Sequence, residues 1–268
     1  MMLFRSHRST ISVPLLCFVL LALFSGLTGI LRAQTPAQSY DYDYIVALYE
    51  RQEDDTALVE IDSFLLRYPD SVYRNFVRFM QAEIQYFKQD FSKAVPIFEE
   101  LSRANLDLTT RADVYLHYAT SLYYTGNSSL ALDILERLTT ELDLEHYRNQ
   151  ALIWKARSYA ASGQINSALH YYAQAWKVFQ EDDTLRYEYF MLLLASDKDE
   201  EAEALISENP HQSEQIYVQT LLDHYLDKAF FASFDKLITL YQYDANHSDP
   251  NLRLILAKSA FLRQDYAL

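Results

Sequence analysis

Apolar residues recur along most of this chain at helical spacing, and small residues stand at matching places in successive stripes. Ala57/Ile61/Phe64, Ala94/Phe98/Leu101, Ala131/Leu135/Leu138 and Ala168/Tyr172/Ala175 each fall at i, i+4, i+7, one side of an amphipathic helix. The four alanines are spaced 37 positions apart. Gly126 and Gly163, again 37 apart, each stand five residues ahead of one of those alanines and close a preceding apolar helical pattern. A fixed period of this length marks stacked supersecondary units, each too small to bury its apolar face alone. The pattern predicts an all-α solenoid of antiparallel helix pairs, beginning near Tyr40 and free of sheet.

Units are expected near 40–68, 75–103, 112–140, 149–180, 183–209 and 213–243. The 37-residue spacing breaks after Ala168, so the first three unit-to-unit steps should be more regular than the last two. Glu200 to Ile206 supplies a second helix 34 residues after Ala168 and is ended by Asn209-Pro210. Phe234 to Tyr241 carries leucine in place of the alanine, and Asp249-Pro250 closes that unit, proline being a normal stop. Leu256 to Leu268 parallels Gln81 to Val95 and opens a truncated unit over 251–268. Because solenoids end in a polar capping helix, the expectation is a fragment of a longer array, or a closing helix supplied from elsewhere. Phe261, Leu262 and Tyr266 should then be exposed.

The first 33 residues are of another kind. Arg5, His7 and Arg8 form a basic start, Ile11 to Phe24 is almost continuously apolar, and Leu31-Arg32-Ala33 ends in a small residue. That order is the layout of a secretory signal peptide, followed by a short linker over 34–39. The alternative is an uncleaved membrane anchor. Cys17, the single cysteine, lies inside this leader behind Leu15-Leu16, which does not suit lipidation. A mature chain would have no thiol, which excludes disulfides, cysteine-ligated metal and cysteine catalysis. It would carry 20 basic against 37 acidic residues, a net charge near −17. Such a surface repels nucleic acid and anionic lipid headgroups. The expected location is therefore the periplasm or cell envelope after export, with membrane contact only through partners unless the leader is retained.

Ala82 to Ala94 gives the order small, aromatic, turn, aromatic, small, and the order recurs as Ala119/Tyr123/Gly126/Ala131/Leu135 and Ala156/Tyr159/Gly163/Ala168/Tyr172. It resembles the tetratricopeptide repeat (TPR), which implies a right-handed superhelical solenoid. Phe64-Leu65-Leu66-Arg67-Tyr68-Pro69-Asp70-Ser71 resembles the joint of the envelope TPR proteins related to BamD and to the Tol–Pal accessory protein. Asp70 and Ser71 are placed to cap the following helix. The lipid-anchor cysteine typical of BamD relatives is missing, and Gln89 stands where the inter-helix turn usually has glycine; a polar residue at a helical end should cost little there.

The resemblance implies that first helices line a concave groove that binds peptides. Carried onto this chain, the inward positions are Tyr42, Val46 and Tyr49, then Phe79, Glu83, Tyr86 and Phe87. Leu116, Thr120, Tyr123 and Tyr124 follow, then Ile153, Arg157 and Ala160. Aromatics with a polar tip suit such a surface; the bland alternative is that these rings pack between helices. The lysine and asparagine clamp of chaperone-adaptor TPRs is absent, its places being held by Glu83, Thr120 and Arg157.

His117, His146, His170, His211, His224 and His247 follow no ligand spacing. The acidic runs at Glu181-Asp182-Asp183 and Asp197 to Glu201 lack the glycine and alternation of a calcium loop and read as turns and helix starts. Asn127-Ser128-Ser129 and Asn246-His247-Ser248 fit a glycosylation sequon that matters only in a eukaryotic secretory route. There is no glycine-rich phosphate loop, no Gly-x-Ser-x-Gly and no His-Glu-x-x-His. The chain reads as a non-enzymatic envelope scaffold that needs no cofactor or metal and holds a protein or peptide partner in its groove. The competing readings are a structural spacer with an empty groove and a cell-wall-glycan binder; Trp154 and Trp176 sit in apolar helical patterns rather than in glycan-binding settings.

Overall fold

Thirteen helices, and no strand, make up the described residues of the computed structural model, which are 36–207, 214–244 and 248–263. The helices run α1 (Pro36–Glu50), α2 (Asp54–Arg67), α3 (Arg74–Phe87), α4 (Phe91–Leu101), α5 (Leu108–Tyr124) and α6 (Ser128–Glu141) in a first compact unit that ends at Leu142. The second unit holds α7 (Glu145–Ala161), α8 (Ile165–Val178), α9 (Asp183–Ala195), α10 (Asp199–Ser207), α11 (Glu214–Asp227), α12 (Phe231–Leu240) and α13 (Pro250–Leu262). Helix α1 starts inside the stretch read from sequence as a linker. The expected leader, Cys17, Asn209-Pro210, His211, Asn246, His247 and Tyr266 lie outside the described residues.

Within each unit first and second helices pair in turn, and the second helices α2, α4, α8 and α10 also touch the next first helix. First helices meet one another as well: α1 with α3, α3 with α5, α9 with α11, and α11 with α13. The alanines explain how. Ala57, Ala94, Ala131 and Ala168 are completely buried, as are Ala82 and Ala156 in the facing first helices. A methyl group at the crossing lets two helix axes approach closely, and the larger residues one and two turns on (Ile61/Phe64, Phe98/Leu101, Leu135/Leu138) fill the space beyond. Each unit thus has its own core, one built around Ile45, Ile61, Phe64 and Met80, the other around Phe190, Leu193, Val218 and Leu221.

The period is written most plainly in the backbone. Gln52, Gln89, Gly126, Gly163, Asp197 and Ala229 all have positive φ, between 57° and 81°, and each sits just past a first helix. At every one of them the amide bonds the carbonyl three residues back, and the next amide bonds the carbonyl five residues back from itself, at 2.8–3.2 Å. This is a Schellman turn, made after six of the first helices and once more at Gln242, after α12. Gln89 stands at the helix end, as expected, but in the left-handed region, where a side chain is strained. At Gly126 an added Cβ would meet nothing within 4 Å, so the cost of a side chain there is torsional alone. Gln89→Gly is expected to stabilise unit 1 by about 0.5–1 kcal/mol, and Gly126→Ala to cost about 1 kcal/mol. Urea midpoints read both; equal midpoints for all three proteins would refute the assignment.

Helix starts use the acids. Asp107 caps α5 through the Thr110 amide (3.0 Å), and Asp182 caps α9 through Thr184 and Leu185. Asp249 caps α13, with Pro250 as its first residue. Asp199, Glu200 and Glu201 occupy the first turn of α10, where negative charge meets the helix dipole. Asp70 and Ser71 do not cap α3, whose N-cap is Tyr73; Ser71 Oγ instead accepts the Tyr73 amide at 3.0 Å and holds the turn. At the other end Phe261 and Leu262 are exposed on α13. Among the described residues no helix is long and apolar enough to cross a membrane.

Tyrosine burial gives the fold an alkaline limit. Burial pushes the hydroxyls of Tyr42, Tyr86, Tyr115, Tyr118, Tyr217 and Tyr225 above their ordinary value near 10. Unfolded tyrosines lose their proton at about pH 10, so ionisation favours the unfolded chain. The stability these groups contribute is present below that pH and lost as pH rises through the folded values. Helical circular dichroism should fall above about pH 10 together with the rise of the phenolate absorbance. Full phenolate absorbance in a still-helical chain would contradict the burial.

Candidate functional site

Six equivalent turns supply a ruler for the first helices. Ten residues before the left-handed residue lie Tyr42, Phe79, Leu116, Ile153, Tyr187 and Gln219; six residues before it lie Val46, Glu83, Thr120, Arg157, Met191 and Asp223. These are the inward positions that the repeat resemblance implies. The two units treat them differently.

In unit 1 most of them are shut in the core. Tyr42 stacks on Tyr73 with ring centres 4.1 Å apart, and Phe79 is buried beside Met80. Glu83 has no exposed surface; its Oε2 accepts the hydroxyl of Tyr49, and its Oε1 lies 3.1 Å from His117 Nδ1, at ion-pair distance but off the line of a hydrogen bond. Tyr86 covers this pair, stacked 4.3 Å from the His117 ring, and burial raises its hydroxyl while a hydrogen bond with Thr120 acts against that rise. Thr120 itself bonds back to the Leu116 carbonyl at 2.9 Å. Tyr42, Tyr49, Phe79 and Tyr86 are thus core residues rather than an exposed binding surface. Phe87, Tyr123 and Tyr124 sit at the turn end of α3 and α5, where Tyr124 stacks on Phe91 (4.5 Å) and is the only one of the three classed as exposed.

In unit 2 the same positions open. Tyr187 is 43 % exposed, Met191 38 % and, one turn nearer the start of α11, Ile216 56 %. Arg157 stands at the edge of this face and is held there from two sides. Its Nε donates to Glu188 Oε2 at 2.8 Å, and its guanidinium lies 4.7 Å from the Trp154 ring centre. Glu188 also accepts the Tyr172 hydroxyl at 3.2 Å. Tyr187 leans edge-on against Tyr217, 6.0 Å between centres, and Tyr217 donates to the Asp183 carbonyl. Below the face, Arg186 is completely buried and its Nη2 reaches the carbonyls of Leu205 and Ile206, both at 3.2 Å, closing the end of α10.

Of the eight residues expected from sequence, Arg157 alone belongs to this open face. Trp154, Tyr187, Met191 and Ile216 were not anticipated. The signal for them existed: counting back from Asp197 gives Tyr187 and Met191, but an aspartate does not announce a left-handed turn, and the spacing from Gly163 to Asp197 is 34 rather than 37. Chemically the face offers an aromatic ring, a thioether, a branched alkyl group and a fixed ion pair, which suits contact with another chain. No acid–base or nucleophile pair is set toward it.

Residues 159–224 of the chain match the tetratricopeptide repeat family, a stretch that runs from the end of α7 through most of α11. The structure is similar to the crystal structure of YrrB, a TPR protein with an unusual peptide-binding site, at a TM-score of 0.55 and 17 % identity, over 67 % of this chain and 90 % of that one. It is also similar to PilW, a widely conserved type IV pilus biogenesis factor, at a TM-score of 0.54 and 12 % identity, over 83 % of this chain and all of that one. No curated protein matches the chain. The fold is all-α and TPR-like.

Proposed function

We propose that this TPR-like array is a non-enzymatic scaffold of the bacterial cell envelope, and that it holds a protein or peptide partner on the open first-helix face of unit 2. The observation that carries the reading is the contrast between equivalent positions: polar or aromatic and sealed at Phe79, Glu83 and Thr120, apolar and exposed at Tyr187 and Met191. Exposed aromatic and methionine side chains on one face, with a half-buried arginine at its edge, are the composition of contact surfaces. The envelope assignment is supported by the leader-like start of the sequence, by the joint at Phe64 to Ser71, and by the likeness to a pilus biogenesis factor. Likeness to a TPR protein with a peptide-binding site supports the ligand class. The sealed positions of unit 1 favour a spacing role for that part.

A photo-crosslinking residue placed at Tyr187 or Met191 of the full chain tests this in cells of the source bacterium. Both should yield the same protein adduct in the envelope fraction, while the residue placed at Val59, more accessible still on a second helix, should yield none. Adducts of equal strength at all three, or at Val59 alone, would remove the site.

A further inference from the structure

The open face of unit 2 carries acids at both ends and apolar residues among them: Ile216 stands level with Asp183 at one end, Tyr187 lies farther along, and Met191 stands level with Asp223 toward the other end. Asp183, Tyr187 and Met191 follow at i, i+4, i+8 on α9, and Ile216, Thr220, Asp223 and Asp227 at i, i+4, i+7, i+11 on α11, each set on one side of its helix. The helices run side by side in the same direction: Tyr217 near the start of α11 bonds Asp183 at the start of α9, and Lys228 after α11 pairs with Asp197 after α9. Asp183 therefore marks one end of the face, Asp223 and Asp227 the other.

Positive charge on α9 and α11 is already committed. Arg186, the one arginine of α9, is buried against the Leu205 and Ile206 carbonyls, and α11 contains no lysine or arginine. His224 Nε2 lies 2.9 Å from Asp199, and Arg157 is paired with Glu188. Lys258 reaches in from α13 to Asp227 at 2.9 Å and Asp223 at 3.4 Å, one cation between two acids. The whole chain adds a net charge of −14, which steers cationic segments toward it and anionic ones away.

Resting on the interaction reading above, we propose that the segment bound here is apolar and basic. One or two aliphatic or aromatic side chains lie against Tyr187, Met191 and Ile216, and a lysine or arginine at each end meets Asp183 and the Asp223–Asp227 pair. An acidic segment would bring like charges together while losing water, which is unfavourable on both counts. The span from Ile216 to Asp227 is about 16 Å of helix, or about five residues of extended chain.

The test uses the full chain and two fluorescent synthetic peptides, each with leucine and phenylalanine at the centre, one ending in lysines and the other in glutamates. Anisotropy should show binding of the lysine peptide and none of the glutamate peptide. Raising the ionic strength so that the screening length falls from about 30 to about 3 Å should weaken binding several-fold. Asp183→Asn, and separately Asp223→Asn with Asp227→Asn, should each weaken it by about two- to five-fold, with melting temperatures compared because Lys258 loses its partners. Met191→Asp should abolish it. If both peptides bind equally and without salt dependence, the charge inference is wrong and the contact face stands. If neither binds while the cells give an adduct at Tyr187, the inference also fails and the face has another ligand. Absence of both binding and adduct removes the two readings together.

Discussion

Replacing Glu83 by alanine should destabilise unit 1 by about 3–5 kcal/mol, the usual cost of removing one member of a buried charged cluster. Its carboxylate is sealed between Tyr49 of α1 and His117 of α5, so truncation takes the acceptor from a buried hydroxyl, removes the polar group beside a largely buried imidazole and leaves a void near the Tyr86 ring. Glu83→Gln keeps an oxygen for the tyrosine and should cost less, about 1–2 kcal/mol. Tyr49→Phe removes one hydrogen bond and should cost about 1 kcal/mol. In a double-mutant cycle, Tyr49→Phe with Glu83→Gln should show coupling above about 0.5 kcal/mol, as contacting residues do. Chemical denaturation of the full chain followed by circular dichroism supplies the numbers. An alanine variant as stable as the parent would show that this cluster contributes nothing to the fold.

The second large effect is Tyr86→Ala, expected to cost about 3–5 kcal/mol as a large aromatic lost from a core. Tyr86 contacts Phe87, Phe91, Phe98 and His117 and lies next to Thr120. Tyr124→Ala, by contrast, removes an exposed ring stacked on Phe91 and should cost no more than about 1 kcal/mol. The comparison separates packing from recognition. Early melting of the Tyr86 variant alone identifies that ring as structural; similar melting of both variants would mean that the turn-end rings form one unit of packing.

The architecture was legible because two chemical rules repeat. An alanine at each close crossing and apolar residues one and two turns later locate the second helices through α8, and the structure has them there. Two glycines betray two turns. The left-handed residues that are not glycine, Gln52, Gln89, Asp197, Ala229 and Gln242, are invisible to that rule, since the hydrogen bonds of the turn come from the backbone and tolerate a side chain at modest strain. The candidate surface was harder to read for a related reason. Helical spacing says which residues share a side of a helix, but whether that side faces water depends on how closely the neighbouring helix approaches. At Glu83 and Thr120 it is close, and polar residues that look exposed are internal. At Tyr187 and Met191, aromatic and apolar residues that look internal are exposed.

Glu83 links three successive first helices, accepting the Tyr49 hydroxyl of α1 and lying 3.1 Å from His117 of α5. Repeat arrays ordinarily fray one repeat at a time from an end, because each repeat leans only on its neighbour. Here the first described repeat is clasped to the second by the same carboxylate that lies against the third, so loosening α1 opens the buried cluster that α5 also packs on. Unit 1 should give way as a block, with α1, α3 and α5 sharing one opening event in hydrogen exchange. A strut that does not unzip transmits force along its length, which is the property a spacer needs if the other half of the chain does the holding.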